Sequence, residues 1–184
     1  MVKEQRVSDY MIPVENYASV RDYSSLLDAI TALEEYQTKV PGHLQPIRSI
    51  LILDEKKRIV GKIGHLGILK ALEPKYGEML ENVSHTGFSA DFLKSMLDRY
   101  SLWGGSLIDI CRKAAGINVK SFMHTLGSGE YISENATIDE AIHYLVMGHH
   151  HSLLVVGDKN TITGILRLTD LFEEVFDQMK NVEI

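Results

Sequence analysis

Apolar positions along this chain follow two different periods. Ile138, Ala141, Ile142 and Leu145 recur at three-and-four spacing, which predicts an amphipathic helix burying one stripe. Ile50 to Leu53 and Leu153 to Val156 are instead short continuous apolar runs, as expected of strands covered on both faces. Each run leads into a polar turn, Asp54-Glu55-Lys56-Lys57 or Gly157-Asp158-Lys159-Asn160, and then into a second strand and a helix. Each preceding helix is announced by a hydroxyl residue three positions ahead of an acid: Ser25 with Asp28, and Thr137 with Glu140. That spacing lets side chains satisfy the unpaired amides of a first helical turn. The predicted order in both halves is β-α-β-β-α.

The two halves are copies of one another. A shift of 112 residues places Val7 on Val119, Tyr10 on Phe122, Met11 on Met123, Val20 on Ile132 and Asp28-Ala29-Ile30 on Glu140-Ala141-Ile142. Beyond that helix the shift becomes 103, placing Ser49 on Ser152, Ile59 on Ile162 and Gly61 on Gly164. The first copy therefore carries nine additional residues, around Gln37 to Ile47. Between the copies, from about Pro74 to Ile117, lies a segment without a counterpart. Ser89 predicts the cap of a helix carrying Phe92, Leu93, Met96, Leu97 and Tyr100, and Ser106 with Asp109 predicts another that ends at Gly116, with Trp103 in the turn between them. These helices are expected to cover the core or to form a subunit contact.

Composition narrows the function. The 184 residues are 45% hydrophobic and 24% charged, enough for an ordinary globular core. A formal net charge of -6 excludes a general nucleic-acid binder, which needs a basic face to displace phosphate counterions. The single cysteine, Cys111, has no intramolecular partner, is expected to be buried on an apolar helix face, and with the absence of a hydrophobic leader points to a reducing compartment, the cytoplasm. No apolar run approaches the roughly 18 residues of a membrane span, so no membrane association is expected.

Met11 and Met123 near the start of each copy, Asp28-Ala29 and Glu140-Ala141 at the helix openings, the apolar strands, and Gly-x-x-x-x-Thr-Asp from Gly164 to Asp170 together resemble a tandem pair of cystathionine-beta-synthase-type (CBS) domains, a Bateman module. The resemblance implies an α+β fold in which two β-α-β-β-α motifs pack about a pseudo-twofold axis with a helical insert between them. The corresponding division is 1–73, first motif; 74–117, insert; 118–184, second motif. It also implies a homodimer, and regulation by an adenine nucleotide or adenosyl compound (AMP, ADP, ATP or S-adenosylmethionine) held between the motifs, with an effector protein downstream.

The chemistry of the second copy fits that expectation. Thr169 and Asp170 fall where a strand gives way to a helix, so free amides attract phosphate, the Thr169 hydroxyl can hydrogen-bond phosphate, and the Asp170 oxygens can accept from vicinal ribose hydroxyls. The same dipeptide also fits a plain helix start, Thr169 as N-cap and Asp170 as first-turn acid. The first copy has Leu66 and Gly67 at these positions, so the resemblance implies one main nucleotide site per chain. It further places the base near Asn16, Ala18 and Ile165, and basic groups at Arg48 and His151. Arg48 is the better phosphate partner because its charge is permanent. Arg167 is a further candidate, although alternation along its strand could equally turn it to solvent.

The run His149-His150-His151 admits a metal site, a phosphate contact by His151, or a solvated loop. Consecutive residues point apart, which disfavours convergence on one ion, so no metal is expected. No Walker loop, dinucleotide GxGxxG or HExxH is present, and Gly127-Ser128-Gly129 lacks a nucleophile elbow, so neither catalytic residues nor a catalytic cofactor are expected and the chain reads as a non-enzyme. Two readings remain: a nucleotide-responsive regulatory module, or a structural or protein-interaction module that keeps the fold with weak or no nucleotide binding.

Overall fold

The computed structural model describes residues 5–39, 48–76, 79 and 88–181. Most of the additional stretch of the first copy, residues 40–47, and part of the insert lie outside them. Among the described residues the fold is mixed α+β, with six α-helices and two sheets.

The chain divides into two compact units, one built from residues 5–17 and 126–181, the other from 18–39, 48–76 and 88–125. In the first unit, β1 (Ile12–Pro13), β7 (Ile162–Arg167), β6 (Ser152–Val156) and β5 (Tyr131–Ser133) form a four-stranded sheet in that order. Strands β5 and β6 are parallel, which demands a crossover, and α5 (Ile138–Gly148) supplies it. Strands β6 and β7 form the antiparallel pair that the turn at 157–160 predicts, and α6 (Leu168–Lys180) follows β7 without a break. Leu153, Val155 and Leu166 are wholly buried between α5, α6 and the sheet, together with Ala141, Leu145 and Leu171.

The second unit repeats the plan. Strand β2 (Ser19–Arg21) runs parallel to β3 (Ser49–Leu53), which pairs antiparallel with β4 (Ile59–Gly64); α1 (Leu26–Lys39) makes the crossover and α2 (His65–Ala71) follows β4. Even the irregularities recur, since the ladder shifts register at Leu53 in one sheet and at Val156 in the other.

The segments ahead of each copy do not stay with it. Residues 5–13 pack with the second copy: Val7 donates its amide to the Ala136 carbonyl at 3.0 Å, and Ile12 and Pro13 join the sheet opposite Ile165 and Gly164. In the second unit Val119 donates to the Ser24 carbonyl at 2.9 Å, and His124 exchanges two backbone hydrogen bonds with Lys62, at 2.9 and 3.0 Å. The matched Met and Gly residues of the repeat meet at these seams. A Cβ at Gly164 would stand 2.7 Å from the Met11 sulfur and 2.8 Å from the Ile12 carbonyl oxygen. At Gly61 the corresponding approaches, to Met123 and His124, are 2.8 and 2.9 Å. Glycine is required there by close backbone approach.

Both helix-opening signals are realised. The Asp28 amide donates to the Ser25 hydroxyl at 3.1 Å while the Asp28 carboxylate accepts from the Ser25 amide and hydroxyl, each at 2.8 Å. At α5 the Glu140 amide donates to the Thr137 hydroxyl at a longer 3.5 Å.

In the insert, α3 (Ala90–Arg99) and α4 (Leu107–Ala114) begin at Ser89 and Ser106, whose hydroxyls accept from Phe92 and Asp109 amides. Lys75 donates to the Tyr100 and Ser101 carbonyls at the end of α3, where a cation is favoured. Trp103 is tied back through its amide to Glu73 and through its indole N–H to the Tyr76 hydroxyl at 3.0 Å. Cys111 is exposed, contrary to the buried position its apolar neighbours predicted. Helix α4 buries only Ala114, at the end held by hydrogen bonds from Leu26 and Leu27 amides to Ile117 and Ala115 carbonyls, and leaves Leu107 and Ile108 exposed.

Two outcomes test this account. Gly164→Ala should destabilise the protein by about 2 kcal/mol in urea unfolding, as overpacking does; Met11→Ala should not rescue it, because the Ile12 carbonyl still blocks the methyl group. The bonds from Ser25 hold the Asp28 carboxyl below the ordinary aspartate value. Its stabilising effect is therefore complete above the ordinary value and is lost as pH falls through the lowered one. An NMR titration should show Asp28 ionising below the ordinary aspartate range, and Ser25→Ala, which removes the hydroxyl but keeps the backbone amide donor, should bring it only part of the way back.

Candidate functional site

The junction of β7 with α6 carries the chemistry singled out by sequence. Arg167 is both the last residue of β7 and the N-cap of α6, which places Thr169 and Asp170 second and third in the helix. Thr169 is therefore not the cap. Its half-buried hydroxyl and the Asp170 carboxylate project from the first turn, where the helix end favours negative charge. The amide of Leu168, first in the helix, is taken by the His151 carbonyl at 3.0 Å.

Arg167 does not face solvent. It is 6% exposed, and its guanidinium grips Asp170 in a two-point fork: Nε donates to one carboxylate oxygen at 2.7 Å and Nη2 to the other. The Asp170 side chain retains only 16% exposure. Simple strand alternation does not extend to Arg167, because the chain turns into the helix at that residue and a partner three positions on becomes reachable. An arginine three residues ahead of an acid at a helix start was the available signal.

Of the remaining predicted residues, Ile165 is 2% exposed in the middle of the sheet, between Ile12 and Leu154. Asn16 is exposed at the end of a short 3-10 turn, Val14–Asn16, that lies against β7. His151 is exposed ahead of β6. These residues share one compact unit with Arg167, Thr169 and Asp170; Ala18 and Arg48 belong to the other. Ala18 is buried and its carbonyl accepts from the Leu51 amide at 2.9 Å, while Arg48 is exposed just ahead of β3. The three consecutive histidines diverge: His149 takes a left-handed conformation (φ 50°) at the end of α5, the His150 ring lies against Gly148, and His151 starts the approach to β6.

The first copy has neither member of the ion pair. By the 103-residue shift, Gly64 stands for Arg167 and Gly67 for Asp170. Nothing in the backbone requires glycine at 64, where φ is -97° and the nearest atom to an added Cβ is the Arg48 carbonyl oxygen at 3.8 Å. The difference is therefore one of chemistry. Sequence reading also passed over Glu130, which the 112-residue shift sets against Ala18. It is 2% exposed and accepts from the Gly127 amide at 2.9 Å.

A separate hollow of about 330 Å³ lies between α5 and α6, lined by Gln5, Thr137, Asp139, Glu174 and Gln178. A hydrogen bond from Thr137 holds the Asp139 carboxyl below its ordinary value, and bonds from Gln178 and Gln5 do the same for Glu174. Both are thus anionic near neutrality, which makes this wall unsuited to phosphate.

Residues 119–177 match the model of the CBS domain family. No curated protein matches the chain. Among solved structures, CBSX2 of Arabidopsis thaliana, a CBS-pair protein, is similar at 17% identity and TM-score 0.59, covering 98% of this chain and 100% of that one. A CBS domain-containing protein from Bacillus anthracis is similar at 16% identity and TM-score 0.60, covering 97% and 96%. The CBS domain of a bacterial CNNM/CorC family Mg2+ transporter, in complex with ATP, is similar at 16% identity and TM-score 0.58, covering 94% and 87%. CBSX2 has also been solved in complex with AMP. Over its length this chain has the fold of the CBS-pair proteins.

The ion pair is testable by a double-mutant cycle. Asp170→Ala strands a buried guanidinium and should cost about 3 kcal/mol in chemical denaturation. Combining it with Arg167→Met should recover part of that loss, whereas strictly additive effects would show that the two side chains do not interact.

Proposed function

We propose that this chain is a regulatory module that binds an adenine nucleotide at the second copy. The observation that carries the reading is the β7–α6 junction, where an anion-attracting helix start, the Thr169 hydroxyl and the Asp170 carboxylate lie within three residues of a buried arginine. Thr169 and the helix amides serve the phosphate; the outward lone pairs of Asp170 accept from the ribose diol. Asn16 and Ile165, on the turn and strand beside this junction, serve the base, and His151 a phosphate oxygen. Ala18 and Arg48 stand in the proposal on the family resemblance alone. Solved relatives in complex with AMP and with ATP support the choice of ligand class; S-adenosylmethionine remains an arm of the test. Binding acts on an effector only through unequal affinity for two states of the module. No catalytic group is part of the proposal, and the compartment proposed is the cytoplasm.

A second reading has its own observation. Asp170 is already held at both oxygens by Arg167, and the first copy offers Gly64, Leu66 and Gly67, as expected of a structural module that binds nucleotide weakly.

Calorimetric titration of AMP, ADP, ATP and S-adenosylmethionine decides between them. The regulatory reading expects saturable binding that falls at least about tenfold in Asp170→Ala; no heat and no thermal shift with any of the four would establish the structural one. The assembly proposed is a homodimer, because α6 exposes Leu168, Phe172, Phe176 and Met179 along one side, with the two Phe rings stacked at 6.2 Å. Light scattering at micromolar concentration should give twice 20.7 kDa, and a monomer would contradict it.

A further inference from the structure

We infer that Arg167 is the specificity-determining residue of this site, selecting phosphorylated adenine nucleotides over neutral or cationic adenosyl compounds; the inference rests on the nucleotide-binding reading above.

A helix N-terminus attracts an anion, but a bare carboxylate in its first turn cancels that attraction and repels phosphate. Here the carboxylate is not bare. The Arg167 side chain is 7% exposed and that of Asp170 16%, and the fork from Nε and Nη2 places the permanent guanidinium charge directly on both carboxylate oxygens. The pair is neutral as a unit, so the partial positive charge of the α6 N-terminus is left to act on a ligand.

The fork also fixes how a diol can dock. It uses the lone pairs of Asp170 that face the guanidinium and leaves one outward lone pair on each oxygen. A ribose can then donate from outside without separating the pair, which would otherwise strand a buried charge. A ligand bearing only the diol gains those two hydrogen bonds, one bearing phosphate gains the helix end as well, and a sulfonium gains nothing from a neutral pair. The first copy shows the complementary state: with Gly64 and Gly67 both members are gone together, so no uncompensated charge is left there.

The test is calorimetric titration of the full chain, wild type, Arg167→Met and Arg167→Lys, with AMP, adenosine and S-adenosylmethionine. Wild type should bind AMP at least about tenfold tighter than either other compound, the size expected of a helix N-terminus acting on an anion at a partly buried site. In Arg167→Met the preference for AMP over adenosine should fall to near parity and S-adenosylmethionine should gain, because Asp170 is then an uncompensated anion. Arg167→Lys should keep most of the preference. Should Arg167→Met fail to fold by circular dichroism, Asp170→Asn serves: it removes the negative charge and should hold or raise the AMP-to-adenosine ratio, and a fall in that ratio overturns the inference. Binding with a ratio unmoved by Arg167→Met overturns this inference alone. No binding of any compound to wild type overturns the nucleotide-binding reading with it.

Discussion

The structure depends on the pairing of a short leading segment with the sheet of the other copy. Val7 bonds to Ala136 and Ile12–Pro13 bond alongside β7; Val119 bonds to Ser24 and His124 bonds alongside β4. The Ile12–Pro13 pairing and the His124–Lys62 bridge lie along sheet edges whose amides and carbonyls would otherwise be left to water or to another chain. The approach is so close that only glycine fits beneath Met11 and Met123. The four-stranded sheet takes its edge strand from the first copy, and the three-stranded sheet is bridged by His124 of the second, so the copies are linked by main-chain hydrogen bonds as well as by sequence.

On that common scaffold the two strand–helix junctions have diverged. The second holds a buried, forked ion pair at the head of a thirteen-residue helix; the first holds two glycines and an exposed Leu66 at the head of a seven-residue one. Burying a charge is costly unless it is paired, so Arg167 and Asp170 form one chemical unit and its loss removes both. The pair admits the ligand-binding and the structural readings, because it neutralises the carboxylate while taking up one acceptor position on each of its oxygens.

The insert is fastened by polar side chains near its turn. Lys75 and Glu73 engage the end of α3 and the Trp103 amide, and Ser101 and Trp103 take positive φ to make the turn. Tyr76 receives the Trp103 indole N–H, which gives a partly buried aromatic its polar partner.

Much of the architecture was legible in the sequence. The two shifts that align apolar residues also align hydrogen bonds: Val7 to Ala136 matches Val119 to Ser24, and the bulges fall at equivalent places. Periodicity and capping residues determine local structure, so the helices opening at Ser25, Ser89, Ser106 and Thr137 could be placed from sequence. What only the tertiary structure decided lies where local rules change over. Arg167 sits where strand becomes helix, so strand alternation could not give its direction. Cys111 rides on a helix that buries only Ala114 among the described residues, so its apolar neighbours did not mark a buried face. Glu130 is buried where its repeat partner is an alanine, and the crossing of the leading segments rests on contacts between residues far apart in the chain, such as Val7 with Ala136 and His124 with Lys62, which no pattern along the chain records.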